Sequence, residues 1–561
     1  MEKESNDNLM QTNTAYKPLY YLIGLAVLVN FSGLFVPLMD PDAGVYASIS
    51  KTMAENNDYV NLYFQETDWL DKPHFPFWVT AVFFKLFGYH DWVYKLPGIL
   101  FVLLGAYYTY LFAKKYYNKS IALWSVFILL TSMHIILSNN DVRAEPYLTG
   151  LIVASVYHFS DSLSGKWGWP LAAACFFAGC AVMTKGIFTL IPISGAVLGQ
   201  LAITKQWKEI FHLKWLVAAL LIFLFITPEL YCLWKQFDTH PEKTVLDNKN
   251  VSGITFFLWD SQLGRFFNTG PIKGKGDKLF FLHTLLWAFL PWALIMYAAL
   301  FTRIKNGIKK IAGEFNEWFT VSASLLTLLV FSFSGFQLPH YTNIIFPMLA
   351  IITAHFIWQQ VNSNKTAFAI IQSVLTILLP VLAAGLGILY RPGLSILFLI
   401  CIIGSIGALI FFNRLFSIEV KWLPYLRSGL ALLTIALFLN LFFYPDLLRY
   451  QSGNRAAAYM NKHYPGEAAG RISIYFPSGE FYLHQPTYRT DIPAISRKEF
   501  TKTKYLFITG EEKKKLENDN ILLEVVKTFD EFHVTTLSLK FVNHRTRHKE
   551  LRKQYLVRML K

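Results

Sequence analysis

Residues 19–46, LYYLIGLAVLVNFSGLFVPLMDPDAGVY, set both the solvent of this protein and a place for its chemistry. From Leu19 to Met39 there is no charged side chain, and a helix needs only about 20 such residues to cross a bilayer core. Two carboxylates, Asp40 and Asp42, follow directly around Pro41. Similar apolar stretches recur near 97–113, 120–138, 146–162, 169–184, 187–204, 214–234, 283–302, 318–335, 342–360, 367–390, 393–412 and 424–444. Hydropathy thus predicts an all-α polytopic membrane bundle of about 13 transmembrane helices.

Composition agrees. Of 561 residues, 54% are hydrophobic, 17% aromatic and only 16% charged, more apolar side chain than one water-soluble core can bury. The net charge of +15 does not imply nucleic acid, because Lys and Arg lie mainly between apolar spans and at the C-terminal end, where they report topology and membrane lipids. Cys175, Cys180, Cys232 and Cys401 fall in or beside spans without metal-type spacing.

With residues 1–18 as a cytoplasmic segment ahead of an uncleaved first helix, one set of loops gathers Lys114, Lys115, Lys119, Lys166, Lys205, Lys208, Lys214, Arg303, Lys305, Lys309, Lys310, Lys365, Arg414, Lys421 and Arg427. The opposite loops are poorer in cations, which places them outside. The membrane domain then runs over 19–444 with long outer loops at 40–96 and 235–281; loops of that length are usually functional. Within the first, FPFWVTAVFFKLFG reads as surface-lying helix. Residues 445–561 read as a small C-terminal α/β domain outside the membrane. It has a helix near 452–463, strand-like runs RISIYF, KYLFITG, ILLEVVKTF and HVTTLSLKFV, and a basic, surface-seeking end, KFVNHRTRHKELRKQYLVRMLK.

Unusual polar residues gather at the outer ends of the spans, where ionisable groups are costly and mark function. Asp40 and Asp42 either stop one helix and cap the next, or supply a base or cation ligand. Asp71 and Lys72 in DWLDKPHFPFW either sit in an aromatic interfacial belt or hold a phosphate with a divalent ion. Asp141, Arg143 and Glu145 in NNDVRAEPYL precede a helix, where acidic residues are favourable in any case. Lys185 in MTKGIFTLIP lies on the cation-poor side, and a phosphate partner explains it. WDSQLGRFFNTG offers Gln262 and Arg265; FSGFQLPHYTNIIFP offers His340 and Tyr341; His283 lies between these two segments.

These six segments, in this order, resemble the GT-C glycosyltransferases of glycosyltransferase family 39 type, especially the bacterial lipid A aminoarabinose transferases. The resemblance extends over most of the membrane region. It implies a GT-C bundle in the bacterial inner membrane, with a periplasmic C-terminal domain. The implied reaction is an inverting hexosyl or pentosyl transfer from a polyprenyl-phosphate donor to a lipid A, glycan or protein acceptor. Asp42 matches the catalytic acidic residue of the first outer loop, and Glu145 the second acidic position, where Asp is usual. Asp71 and Lys72 match an acidic, Lys, Pro run. Lys185 matches a Lys that meets carrier phosphate, and Tyr341 the Tyr of a Leu, Pro, x, Tyr motif. Arg265 matches the loop Arg, while Gln262 replaces a cation-associated His, so a divalent metal ion at Asp71 and Gln262 is an open expectation. Carrier phosphate falls to Lys72, Lys185, Arg265 and Tyr341. No nucleotide cofactor is expected, and no nucleotide-binding fingerprint is present. The competing class is a lipid or solute transporter or flippase, which calls for polar residues in mid-span and interrupted helices.

Overall fold

The structure, a computed structural model, describes residues 2–163, 165, 167–269, 273–308, 317–392, 403–404, 407, 410 and 419–560, with side chains from residue 17 onward. Lys166, Lys309, Lys310, Cys401 and Arg414 lie outside the described residues, as does nearly all of the span expected at 393–412.

Among the described residues, seven helices are long and apolar enough to cross a membrane: Lys17–Phe35, Asp91–Tyr116, Gly168–Lys185, Trp207–Asp238, Pro339–Asn362, Ala367–Tyr390 and Val420–Tyr450. An eighth forms if Lys119–Leu130 and Met133–Asn140, bent by 50°, are one span. The count of 13 is therefore not reproduced. Hydropathy marks apolar stretches whether they cross the bilayer or only pack inside the bundle. Ile187–Ile203 and Phe319–Ser332 are apolar but shorter. The run at 283–302 is divided between Phe280–Ala288 and Ala293–Ile308. Helix Ala367–Tyr390 turns Ile370, Val374, Ile377, Val381 and Ile388 outward, which suits a lipid-facing surface.

Small residues let the central helices approach. A Cβ on Gly150 would lie 2.2 Å from the carbonyl oxygen of Phe101, and one on Gly105 3.1 Å from that of Thr149, so Asp91–Tyr116 and Glu145–Ser162 meet backbone to backbone. Away from the C-terminal domain, buried Arg303 is paired with buried Glu317 at 2.8 Å, and Tyr117 donates to the same carboxylate at 2.7 Å.

The first long loop carries helices Asp42–Asn56 and Phe75–Phe87, of 15 and 13 residues, each too short to span a core of about 30 Å. The hairpin Tyr63–Phe64 with Thr67–Asp68 lies between them.

The C-terminal segment forms a five-stranded sheet in the order Thr487–Arg489, Ala469–Arg471, Tyr505–Thr509, Arg552–Met559, Leu523–Glu531. Helix Ser452–His463 packs with it. Two expectations fail here. HVTTLSLKFV is no strand but a turn and the helix Leu539–Val542, with Phe541 stacked on Phe532 at 3.6 Å. The basic tail is not merely a charged surface, since Arg552–Met559 is an interior strand. Its Leu556 and Val557 point into separate cores on opposite sides of the sheet, which outweighs the exposed Arg and Lys around them. RISIYF contributes only Arg471 to a strand.

This domain closes over the end of the bundle that holds the first long loop. Ser478 donates to Asp40 through its N–H and its hydroxyl, both at 2.8 Å. Lys51 donates to the carbonyls of Phe481 and Leu483 at 3.0 and 2.8 Å. Arg547 lies 4.0 Å from the ring centre of Tyr390, at the end of the lipid-facing helix.

Gly150→Ala should cost about 1–3 kcal/mol through overpacking. Gly24→Ala, where a Cβ meets nothing within 4 Å, should cost far less. Denaturant unfolding in detergent compares the two.

Candidate functional site

Asp42, Glu145 and Lys185 sit where a helix begins or ends. Asp42 and Glu145 open the helices Asp42–Asn56 and Glu145–Ser162, where N-terminal dipoles favour a carboxylate. Asp71 and Lys72 precede Phe75–Phe87, and that corner is fixed by fully buried His74. Its N–H donates to Glu229 Oε2 at 2.9 Å, and its Nδ1 lies 3.0 Å from Glu229 Oε1. Lys185 ends Gly168–Lys185 at Gly186, whose φ of +100° disfavours any residue with a Cβ. A Cβ there would also lie 2.3 Å from the Gln262 amide nitrogen, which donates to the Lys185 carbonyl at 3.0 Å. Gln262 thus satisfies an open helix-end acceptor. It belongs to the π-wound turn Phe256–Gly264, which delivers Arg265.

Six of the predicted residues line one cleft: Asp71, Lys72, Lys185, Gln262, Arg265 and Tyr341. Phe188, Phe266, Phe331 and Phe336 supply apolar walls. Within it Asp71 pairs with Lys72 at 2.6 Å and with Arg265. Lys185 pairs with Glu145 and lies 3.8 Å from the ring centre of Tyr341. Glu145 itself is buried, with His340 Nε2 3.7 Å away. Three cations thereby share two carboxylates, which leaves positive charge free for an anion.

Asp42 stands beside this cleft rather than in its wall, and it does not meet Glu145 directly. Its partner is Arg143, at 2.8 Å, which also holds Asp141 through Nε at 2.9 Å and Nη2 at 2.7 Å. The sequence offers Arg143 only as a neighbour of Glu145; the fold makes it the link between Asp42 and Asp141. The buried pair His74 and Glu229, separated by 155 residues, has no local signal.

Electrostatics separate the carboxylates. Burial alone would raise Asp71, but the charges of Lys72 and Arg265 outweigh it and hold the carboxyl at about 2. Burial among neighbouring groups raises Asp42 above the usual range, with Arg143 pulling it back. Arg143 is raised because Asp141 and Asp42 overcome its burial. Asp40 is pushed up to about 7 by burial, although its bonds from Ser478 act the other way. Its contacts are spent on domain docking, and Asp42 is the freer base.

The two residues expected to hold a metal, Asp71 and Gln262, have other partners. Asp71 is engaged by two cations, and Gln262 turns its NH₂ toward Lys185 and Ser261. Among the described residues no group of three or more His, Cys, Asp or Glu is placed to hold an ion.

Known proteins agree with this architecture. The crystal structure of ArnT from Cupriavidus metallidurans bound to undecaprenyl phosphate superposes with a TM-score of 0.73 over 97% of this chain and 98% of that one, at 18% identity. This chain shares the fold of that structure. The family described as dolichyl-phosphate-mannose-protein mannosyltransferase matches residues 71–232, a segment that includes Lys72, Glu145 and Lys185. The undecaprenyl phosphate-alpha-4-amino-4-deoxy-L-arabinose arabinosyl transferase of Enterobacter sp. (strain 638) is 24% identical over 364 residues, 63% of this chain. Its namesake from Erwinia tasmaniensis is 25% identical over 347 residues, 60% of this chain. The matches span 61% and 57% of those relatives' own lengths. The chain is a multi-pass membrane protein.

Because its pKa is depressed, Asp71 adds stability that is complete above its ordinary value of 3.8 and is lost as pH falls through about 2. Asp71→Asn should cost about 3 kcal/mol at pH 7 by stranding two cations. The gap to wild type should hold from pH 8 to pH 5 and narrow only below pH 4, as read by denaturant unfolding in detergent.

Proposed function

We propose that this chain transfers a glycosyl group, with inversion, from a polyprenyl-phosphate carrier to a lipid A, glycan or protein acceptor at the outer face of the bacterial inner membrane. The observation that carries the reading is the cleft in which Lys72, Lys185 and Arg265 share only two carboxylates between aromatic walls. A phosphate on an apolar chain matches both features: the cations take the head, and the phenyl rings take the start of the tail. The relatives named above act on an undecaprenyl-phosphate-linked aminopentose, which makes that donor the first to try.

In the transfer, an acceptor hydroxyl oxygen forms a bond to the anomeric carbon while the bond from that carbon to the phosphate oxygen breaks. The electron pair leaves with the phosphate, where Lys72, Lys185 and Arg265 stabilise the charge that develops. Asp42 receives the acceptor proton, and a pKa raised by burial suits it to this work. Arg143 holds Asp42 in place and favours its ionised form. The ring of Tyr341 lies against the Lys185 ammonium. The basic loops at the opposite end of the bundle support an outer location for the site, with the C-terminal domain in the periplasm.

Lys185→Ala and Arg265→Ala should each weaken binding of undecaprenyl phosphate by roughly tenfold to a hundredfold, the worth of one charge-assisted contact. Asp42→Asn should keep carrier affinity and lose transfer of the labelled sugar. Full transfer by Asp42→Asn would remove its role. Arg143→Gln should move the acid limb of the rate profile to higher pH, because Asp42 then loses the charge that lowers its pKa. An unmoved limb would detach Arg143 from Asp42.

A further inference from the structure

The basic end of the chain divides in the fold. Arg552–Met559 is a strand inside the sheet, and the stretch before it, 540–549, remains at the surface where the C-terminal domain meets the bundle. Helix Leu539–Val542 opens this stretch beside the end of the lipid-facing helix Ala367–Tyr390. The His544 N–H donates to the Leu389 carbonyl at 3.0 Å, and Arg547 donates to the carbonyls of Tyr390 and Phe541. Phe541 and Val542 are buried in one cluster with Tyr390 and Phe443. The stretch is therefore held at the level where a bilayer-crossing helix ends.

The other side of the same turn is bare. Leu539 is 81% exposed and Leu537 also faces out, while Ile388, near the end of the crossing helix, is 71% exposed. A lone exposed leucine is ordinary. Here two lie beside the end of a lipid-facing helix, and exposed cations accompany them: Arg391 and Arg449 at the ends of two crossing helices, and Lys540, Arg545 and Lys549 from the stretch itself. Among the described residues Arg391, Lys540, Arg545 and Lys549 have no ion-pair partner, and Arg449 has Asp446 at 3.2 Å. Between 540 and 550 the only acid is Glu550. Apolar side chains flanked by unpaired cations at a helix end match the boundary of a leaflet, where leucines enter the acyl edge and cations meet anionic phosphates.

We propose that the turn 537–549 seats the C-terminal domain on the membrane, inserting Leu537 and Leu539 at the acyl edge and binding anionic phospholipid headgroups through Lys540, Arg545 and Lys549. The domain then has two footings: Asp40 with Ser478 on the bundle, and this turn on the lipid. The seat involves no residue of the phosphate cleft.

The test uses the full chain in proteoliposomes, with a fluorophore on Leu539→Cys in a background whose four native cysteines are replaced by Ala. A nitroxide quencher is carried near the top of the acyl chain by either phosphatidylglycerol or phosphatidylcholine. The label at 539 should be quenched, and more strongly by phosphatidylglycerol. A label on Leu522→Cys should not be quenched, because Leu522 is exposed at the far end of strand Leu523–Glu531 from the bundle contact at Tyr450 and Phe532. Combining Lys540→Gln, Arg545→Gln and Lys549→Gln should lower the preference for phosphatidylglycerol at least roughly fivefold, the worth of a single surface cation. No quenching at 539 overturns the seat. Equal quenching from the two lipids overturns it too, as does a preference that the three Gln substitutions leave unchanged. A label at 539 hidden from both nitroxide lipids and from a water-soluble quencher means that protein covers the surface, which also overturns the lipid seat.

Discussion

A charge in a poorly hydrated place must have a partner, and this constraint organises the outer end of the bundle. Lys72, Lys185 and Arg265 are brought there by three separate stretches of chain, and Asp71 and Glu145 are the carboxylates that make their burial tolerable. The balance is incomplete by one positive charge, so the cleft is stable as a protein and still attractive to an anion. The apolar side chains around it sharpen both effects, since they exclude the water that would screen them.

The same constraint explains why two neighbouring aspartates behave differently. Asp40 accepts two hydrogen bonds from Ser478 and is consumed in seating the C-terminal domain. Asp42, two residues on, turns instead to Arg143 and keeps 42% of its side chain exposed. Docking of the domain therefore consumes Asp40 and leaves Asp42 to its pairing with Arg143. The Cβ-free surfaces at Gly44 and Gly186 serve the same end: a Cβ at either would press on Asp40 or Gln262, the groups that hold the two sides of the site together.

Glu145 is the most deeply buried carboxylate of the site. It is buried, bound to Lys185 on one side and 3.7 Å from His340 on the other.

The sequence by itself determined the solvent, the helical class and the identity of the charged residues, because hydropathy and the rarity of intramembrane charge are properties of single stretches of chain. Lys185 was legible as a phosphate candidate because a lone cation on the cation-poor side has no local excuse. Hydropathy alone does not give helix length: Phe319–Ser332 and the divided run at 283–302 are apolar but form shorter helices. Nor was the placing of Arg552–Met559 inside a sheet, where the two cores around Leu556 and Val557 override a basic composition. Only the tertiary structure decided which carboxylate meets which cation: Asp42 with Arg143, Glu145 with Lys185, Asp71 with Lys72 and Arg265. Such pairings join residues up to 194 positions apart, and their energy depends on distance and burial that no local pattern encodes.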